Sequence, residues 1–211
     1  MKAIRVNEHG GPEVLSCEEV DTPRMSEEEV LVKVESAGIN FIDTYQRSGL
    51  YQIPLPSTLG LEAAGTVVET GANVTGLSAG DRVAYTNVAG AYAEFAAVPA
   101  DKLVPIPEGV SFDQGAAAML QGCTAHYLCA STYQVKAGDR CLIHAAAGGV
   151  GLLLIQMVKM LGGSVIGTVS TESKAELARN AGADEVILYN EQDFHSEVMR
   201  MTDGAGVNVA Y

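Results

Sequence analysis

The sequence is poor in positive charge and has no paired cysteines. It contains 13 Lys and Arg residues against 26 Asp and Glu residues, a formal net charge of −13. Nucleic acids and anionic membrane surfaces are bound through an excess of Lys and Arg, so this balance argues against both partners. The four cysteines form no C-x-x-C pair, and no H-x-x-x-H or H-E-x-x-H spacing accompanies them. We therefore expect buried, reduced thiols rather than a zinc ribbon or a zincin-type site.

A secretory signal and a membrane span are also missing. The chain opens with Met1-Lys2-Ala3-Ile4-Arg5, which lacks the apolar run of a signal peptide. Two long uncharged stretches, 114–135 and 141–158, contain too many polar residues or glycines for a helix in hydrocarbon. The sequence therefore predicts a soluble, cytoplasmic protein without a membrane partner.

The pattern of apolar residues changes near residue 105. Before it, short apolar runs alternate with turn residues, which predicts a mostly-β module of the barrel type with one helix at 41–48. The strands of this half are predicted at 3–6, 14–20, 30–34, 64–68, 82–85 and 92–98. After it, strands and helices alternate, which predicts βαβ units on a parallel sheet, a doubly wound α/β fold.

The second half has recognisable helix and strand boundaries. Ser111 and Gln114 have the spacing of a capping box, and the helix that they open is predicted to reach about residue 132. The strands that follow are predicted at 140–145, 164–169, 185–188 and 207–211. The helices between them are predicted at 149–161, 173–180 and 194–201.

A glycine-rich turn follows the predicted strand at 140–145. Laid over the phosphate-binding pattern G-x-G-x-x-G, its three key positions are Ala146, Gly148 and Gly151. Gly148 would let the backbone approach a pyrophosphate, and Gly151 would let the helix pack closely on the strand. The helix N-terminus adds N–H groups that favour an anion. We predict a dinucleotide site here, with a tight turn that binds nothing as the alternative.

The next strand ends without the acidic residue that is typical of NAD specificity. Val169 stands at its end, followed by Ser170 and then, in the next helix, Lys174. A hydroxyl and an ammonium suit the 2′-phosphate of NADPH, which an acid would repel. Lys174 could equally be a solvated helix residue, and nearby Glu172 fits a role in compensating the helix dipole. The balance favours NADPH as the cofactor.

A family resemblance rests on four segments, which read GINFIDTY at 38–45, RSGLY at 47–51, GLEAAG at 60–65 and HAAAGGVG at 144–151. Together they resemble the NADPH:quinone oxidoreductases, the ζ-crystallin-like, zinc-free branch of the medium-chain dehydrogenase/reductase superfamily. The resemblance implies a GroES-like domain over residues 1–123 and a Rossmann-type NADPH-binding domain over residues 124–211. Family members continue for roughly a hundred more residues, so it also implies an incomplete second domain and a homodimer at full length.

The resemblance implies a zinc-free site as well. Where zinc alcohol dehydrogenases of the superfamily place a Cys and a His ligand, this chain has Asn40 and Leu61. A leucine cannot ligate a metal, and an amide is a poor ligand for zinc. The structural-zinc lobe has no counterpart between residues 81 and 111. Glu62 alone would not hold zinc, and we expect it to be a structural hydrogen-bonding acid.

The resemblance also implies a set of site residues. Asn40 would touch the nicotinamide ribose or the substrate, and Tyr45 and Tyr51 would flank a quinone, whose ring accepts hydride without a Lewis acid. The expected substrate-site residues are Asn40, Asp43, Tyr45, Tyr51 and Thr124. The expected cofactor contacts are Asn40, Thr124, Ala147, Gly148, Gly149, Val150, Gly151, Ser170, Lys174 and Tyr189. The tyrosines and Thr124 could instead be packed core residues, and we expect no catalytic base, His126 and His144 being core or surface residues.

Two further functions stay open at this point. The same zinc-free scaffold could reduce enoyl thioesters or other α,β-unsaturated carbonyls. A non-catalytic, crystallin-like role in nucleotide binding is the third interpretation. Because residues 207–211 have the pattern of the start of a buried strand, we expect the chain to be a fragment or a shorter form.

Overall fold

The chain, described over residues 1–211 by a computed structural model, divides into two units. Unit 1 is Met1–Leu120 and unit 2 is Gln121–Tyr211. The division lies inside the helix that also contains the predicted boundary between residues 123 and 124. Separate roles for two domains stay a prediction. The structure contains no helix with the length and apolar character needed to cross a bilayer.

Unit 1 is built mainly from antiparallel sheets, as its sequence predicts. Its strands are β1 (Lys2–Val6), β2 (Leu15–Glu19), β3 (Glu29–Ala37), β4 (Ser57–Thr58), β5 (Glu62–Thr70), β6 (Arg82–Thr86), β7 (Phe95–Pro99) and β8 (Val104–Pro105). One sheet has the order β2–β1–β4, and the other has the order β7–β3–β5–β6–β8. All of their pairings are antiparallel.

The larger apolar cluster of unit 1 lies on the larger sheet. Val30 and Val32 alternate along β3 with more exposed neighbours and pack in one apolar cluster with Val83 of β6 and Val98 of β7. This period of two is the pattern by which the strands are predicted. Gly65 allows the close approach of β3 and β5, since a Cβ there would lie 2.0 Å from the carbonyl oxygen of Lys33.

Helix α1 spans Phe41–Ser48, the range predicted from the sequence. At its start the Asp43 carboxylate accepts a hydrogen bond of 2.8 Å from the backbone N–H of Asn40. Gly49, with a φ of +80°, ends the helix in the left-handed region that favours glycine. Both helix ends therefore depend on residues close in the chain, which is why the sequence shows them.

Helix α2 spans Phe112–Tyr127. The predicted capping box is confirmed, because Ser111 Oγ accepts from the Gln114 N–H at 3.1 Å and Gln114 Oε1 accepts from the Ser111 N–H at 3.0 Å. The predicted end of the helix near residue 132 is confirmed, although its last five residues, Leu128–Thr132, form a π-helical turn. The helical path continues there with a different hydrogen-bond pattern, which local propensity does not show.

Unit 2 alternates strands and helices as predicted. Its elements are β9 (Arg140–Ile143), α3 (Gly149–Met160), β10 (Ser164–Val169), α4 (Glu172–Asn180), β11 (Glu185–Leu188), α5 (Phe194–Met201) and β12 (Val209–Ala210). The sheet is parallel, with the order β11–β10–β9–β12. Ile143 packs in the cluster that includes Ile155 of α3, whereas neighbouring Leu142 packs with Val198 of α5. Both faces of the sheet are therefore covered, which confirms a doubly wound α/β fold.

Several finer predictions for unit 1 are wrong. Residue 14 belongs to a 3₁₀ turn, Pro12–Val14, rather than to a strand, and residues 92–94 precede β7 instead of opening it. The short strands β4 and β8 are not foreseen, because each is a two-residue pairing with a strand distant in sequence.

The expectation of buried thiols holds for only part of the cysteine set. Cys129 and Cys141 are buried, whereas Cys17 and Cys123 are exposed, and all of them are free. Cys17 lies in β2, an edge strand whose alternating residues face solvent. Its exposure therefore follows from the position of the strand, which composition does not reveal.

The fold predicts different effects on stability for two tyrosine substitutions in unit 1. The Tyr85 hydroxyl is buried without a hydrogen-bond partner, and burial raises its pKa. We expect Tyr85→Phe to leave the free energy of unfolding unchanged or to raise it by up to about 1 kcal/mol.

Tyr92→Phe is the comparison, because Tyr92 donates to the Asp43 carboxylate at 2.6 Å. Its loss is expected to cost roughly 1–3 kcal/mol. Urea unfolding measures both variants, and a greater loss for Tyr85→Phe contradicts the expectation.

Candidate functional site

The turn between β9 and α3 holds the helix against the strand. Gly148 is the N-cap of α3, and Gly151 lies in its first turn. A Cβ on Gly151 would lie 2.6 Å from the carbonyl oxygen of Ala145 and 2.7 Å from that of Ala146. Only glycine fits there without a shift of the backbone, so the close packing expected of Gly151 is present. Ala145 itself has a φ of +48°, which is uncommon outside glycine.

The first key position of the turn is occupied by a buried alanine. The Ala146 N–H donates to the carbonyl oxygen of Thr168 at 3.1 Å, which ties the turn to β10. Opposite it on β10 is Gly167, where a Cβ would lie only 2.8 Å from the Ala146 Cβ. The methyl group is accommodated because the facing residue has no side chain. The departure from the glycine pattern is therefore compatible with the turn.

A recess of about 160 Å³ opens beside this turn in unit 2. It is lined by Ala145, Ala147, Gly148, Val169, Ser170, Lys174 and Tyr189. It thus brings together most of the residues that the sequence predicts as cofactor contacts in this unit. The remaining glycine-turn residues, Gly149, Val150 and Gly151, form the first turn of α3. Their backbone N–H groups are those that an α-helix leaves without intrahelical partners.

The recess carries a single positive side chain and no carboxylate. Lys174 Nζ donates to Ser170 Oγ at 3.2 Å, so the predicted ammonium and hydroxyl are held side by side. The Ser170 carbonyl oxygen accepts from Asn190 Nδ2 at 3.0 Å, which anchors the segment after β10. Glu172 forms an ion pair with Arg179 on α4 and is absent from the recess lining. The local charge is therefore positive in a strongly acidic chain.

In unit 1, the predicted residues Asn40 and Asp43 belong to a buried hydrogen-bond network. Asn40 Nδ2 donates to Glu62 Oε1 at 2.7 Å, and the Leu120 N–H donates to Glu62 Oε2 at 2.6 Å. Asp43 Oδ2 accepts from both the Asn40 N–H and the Tyr92 hydroxyl. Burial and the bond to Asp43 raise the pKa of Tyr92. The expectation that Glu62 is a hydrogen-bonding acid is confirmed, whereas the part played by Tyr92 was missed.

A larger cavity, of about 590 Å³, adjoins this network in unit 1. Its lining consists of Ile4, Leu15, Ala37, Ile39, Asn40, Asp43, Thr44, Arg47, Leu59 and Tyr92. Half of these side chains are apolar, and the polar ones come from the start and body of α1 and from Tyr92. The cavity residues outside α1 come from several distant parts of the chain, so no local pattern could have revealed the cavity.

The predicted pair Tyr45 and Tyr51 is in mutual contact. Their ring centroids lie 5.3 Å apart with an interplanar angle of 57°. Phe41 adds an edge-to-face contact with Tyr45 at 5.6 Å and is 76% exposed. Phe41 was missed as a neighbour, although its spacing of four residues from Tyr45 in a helix is a usable signal. These rings form an exposed aromatic surface at α1, and its contact with a substrate stays a prediction.

The other polar candidates are dispersed. Thr124 lies half-buried on α2 in unit 2, and His126 is exposed on the same helix. His144 Nδ1 lies 2.9 Å from Thr168 Oγ1, and the imidazole packs edge-to-face on Phe194. The structure brings no three His, Cys, Asp or Glu side chains together as a metal-binding group.

Comparison with known proteins matches both halves of the chain. Residues 26–108 match the family described as "Alcohol dehydrogenase GroES-like domain", and residues 149–211 match "Zinc-binding dehydrogenase". The quinone oxidoreductase of Pseudomonas aeruginosa is 47% identical over 100% of this chain and 65% of its own length. A 2-haloacrylate reductase from Burkholderia is 42% identical over 99% of this chain and 65% of its own length.

Solved structures show the same similarity. The Escherichia coli quinone oxidoreductase complexed with NADPH has a TM-score of 0.98 and 46% identity. The match covers 100% of this chain and 65% of that one. An NAD-dependent alcohol dehydrogenase has a TM-score of 0.92 and 31% identity, with 100% of this chain and 70% of that one covered. The chain thus spans 65% of the length of the quinone oxidoreductase with which it aligns.

The turn before α3 predicts a stability difference between two glycine substitutions. Gly151→Ala places a Cβ against two backbone carbonyls, and we expect it to lower the free energy of unfolding by roughly 1–3 kcal/mol. Gly148→Ala is the control, because its Cβ would meet only the Ala145 carbonyl oxygen, at 3.1 Å. Its effect should stay within about 0.5–1 kcal/mol. Chemical unfolding compares the two, and equal losses would show that the close approach at Gly151 is unimportant.

Proposed function

We propose that the chain belongs to the quinone oxidoreductases of the medium-chain dehydrogenase/reductase superfamily, and that it binds NADPH and reduces quinones without zinc. The observation that carries the proposal is the recess in which Ser170 and Lys174 lie beside the glycine turn. Homodimerisation and a cytoplasmic location stay predictions.

The nucleotide-binding part of the proposal follows from the chemistry of the recess. The first-turn N–H groups of α3 would bind the pyrophosphate, since a helix N-terminus favours an anion. Ser170 and Lys174 would hold the 2′-phosphate by a hydroxyl and a charge-assisted hydrogen bond. Tyr189 would lie beside the adenosine, because it lines the same recess. The absence of a carboxylate from this lining supports NADPH over NADH.

The substrate-binding part rests on unit 1, and Thr124 stays a contact predicted from the sequence alone. Asn40 and Asp43 are fixed in the buried network, whereas Tyr45 and Tyr51 present aromatic faces suited to a planar, carbonyl-bearing ligand. Bound NADPH supplies a hydride, and a quinone that takes up this hydride and one proton from water becomes a hydroquinone. The residues of the chain would orient the quinone and exclude water.

Zinc independence is proposed from the two residues that stand where zinc alcohol dehydrogenases of the superfamily have a Cys and a His zinc ligand. Leu61 has no donor atom, and Asn40 Nδ2 is already bound to Glu62. Neither residue suits a catalytic zinc ion, whose ligands are His, Cys and carboxylate side chains. A quinone needs no such ion, because its ring is already electron-poor.

The relative named 2-haloacrylate reductase favours a second candidate, reduction of a carbon–carbon double bond conjugated to a carboxyl or carbonyl group. The two reactions share a hydride donor and differ in the acceptor. The tyrosine surface favours a planar quinone over a small acid. Quinone reduction is therefore the proposal retained.

Substitution of Lys174 tests the 2′-phosphate contact. We expect Lys174→Ala to weaken NADPH binding by roughly 1–3 kcal/mol while leaving NADH binding almost unchanged. Arg179→Ala is the matched control, since it also removes a positive charge from α4. Arg179 pairs with Glu172, and neither residue lines the recess. Calorimetric titration with both nucleotides gives the dissociation constants. Equal losses for NADPH and NADH in Lys174→Ala would overturn the assignment.

A panel of acceptors tests the reaction. With NADPH as donor, ortho- and para-quinones should be reduced faster than an enoyl thioester or 2-chloroacrylate, and dialysis against a chelator should not lower the rate. Faster reduction of the two unsaturated acyl compounds would support the second candidate instead. Tight NADPH binding without turnover of any acceptor would leave the non-catalytic, crystallin-like role. A rate that falls with chelation and returns with zinc would contradict zinc independence.

A further inference from the structure

The segment that carries Ser170 lies just beyond the end of the backbone pairing between β10 and β11. The last paired residues are Val169 and Leu188, and the Tyr189 N–H still donates to the Val169 carbonyl oxygen at 3.1 Å. The chain then turns back, since the N–H groups of residues 191 and 192 both donate to the Leu188 carbonyl oxygen at 2.9 Å. The main chain after Tyr189 therefore follows a local turn instead of continuing the pairing along β10.

The side chain of Asn190 supplies the next hydrogen bond in place of the backbone. Its Nδ2 donates to the Ser170 carbonyl oxygen at 3.0 Å. A carbonyl oxygen is an acceptor only, so this contact requires the NH₂ end of the amide to face Ser170. Asn190 is exposed and does not line the recess, whereas Ser170 and Tyr189 both line it. Asn190 therefore holds a residue of the recess wall without being part of that wall.

The Ser170 carbonyl matters because its direction is coupled to that of the Ser170 side chain. Rotation about ψ turns the carbonyl oxygen relative to Cβ, so a carbonyl held by Asn190 restricts where the hydroxyl points. Lys174 is fixed separately, on α4, where its N–H donates to Oγ1 of the N-cap residue Thr171 at 3.4 Å. Ser170 Oγ accepts from Lys174 Nζ, and its own O–H can then donate to an anion beside the ammonium.

We propose that Asn190 is a positioning residue that sets the preference of the recess for NADPH over NADH. By holding the Ser170 carbonyl, it directs the Ser170 hydroxyl, beside the Lys174 ammonium, toward the 2′-phosphate that NADPH carries and NADH lacks. A hydrogen bond to a phosphate is charge-assisted, so a misdirected hydroxyl weakens the binding of NADPH more than that of NADH. This inference rests on the proposed function and adds to it a residue outside the recess.

Asn190→Ala removes the hydrogen bond at an exposed position without a change of charge. We expect the dissociation constant of NADPH to rise roughly threefold to tenfold, as for one weakened hydrogen bond, and that of NADH to stay within about twofold. Asn208→Ala is the matched control, because Asn208 Oδ1 accepts from the Arg140 N–H at 2.8 Å, at the amino end of β9. It removes an asparagine–backbone bond at the opposite end of the same sheet and should leave both affinities unchanged.

A double-mutant cycle with Ser170→Ala shows whether Asn190 acts through Ser170. Once the hydroxyl is gone, the further change Asn190→Ala should alter the dissociation constant of NADPH by less than about twofold. A direct contact between Asn190 and the nucleotide would instead make the two losses additive. General loosening of the recess would do the same and would also weaken the binding of NADH.

Calorimetric titration of these proteins with NADPH and NADH, beside thermal unfolding, decides the question. Equal losses for both nucleotides in Asn190→Ala, an unchanged NADPH affinity, or additive losses in the cycle would overturn the proposal. If Asn190→Ala does not fold, Asn190→Ser takes its place with the same outcomes, since a serine is polar and too short to reach the carbonyl. An unsubstituted protein that binds NADPH no more tightly than NADH would contradict the proposed function itself, which is a separate outcome.

Discussion

The close approach of α3 to the end of β9 is the constraint on which the candidate nucleotide site depends. Gly151 allows the first turn of the helix to lie against the carbonyl oxygens of Ala145 and Ala146. That contact sets where the helix N-terminus points, and the recess lies beside this turn. Without it, the first-turn N–H groups and the Ser170–Lys174 pair would not be held at one place. The candidate site can therefore form only because the backbone of α3 packs closely against the end of β9.

Much of the fold could be predicted from the sequence where the signal is local. Helix α1 and the start of α2 are set by caps within a few residues, and β10 and β11 are short segments rich in Val, Ile and Leu. The short strands β4 and β8 could not be predicted, since each is stabilised by pairing with a distant strand. The π-helical turn at Leu128–Thr132 likewise has no local signal that distinguishes it from the α-helix before it.

The candidate site shows the same limit. Ser170 and Lys174 are four residues apart on a strand–helix junction, so their meeting follows from the predicted elements. The bond between Asn40 and Glu62 spans 22 residues, and Tyr92 reaches Asp43 across 49. The family resemblance predicts Asn40 and Asp43 as site residues, but only the folded chain shows their hydrogen-bond partners. The sequence is informative about which residues matter and less so about their partners.

The contact between Ala146 and Gly167 shows that the first glycine of the phosphate-binding pattern can be replaced when the facing strand supplies a glycine. In the strict pattern a glycine in the turn leaves room for the facing residue. Here the turn has Ala146 instead, and the room for its methyl group comes from Gly167 on β10, so the two residues together fill the same volume. Neither position is then independent: a larger residue at 167 would be tolerated only if residue 146 became smaller. The turn therefore requires a volume that it shares with β10, and a motif search restricted to the turn segment does not detect it.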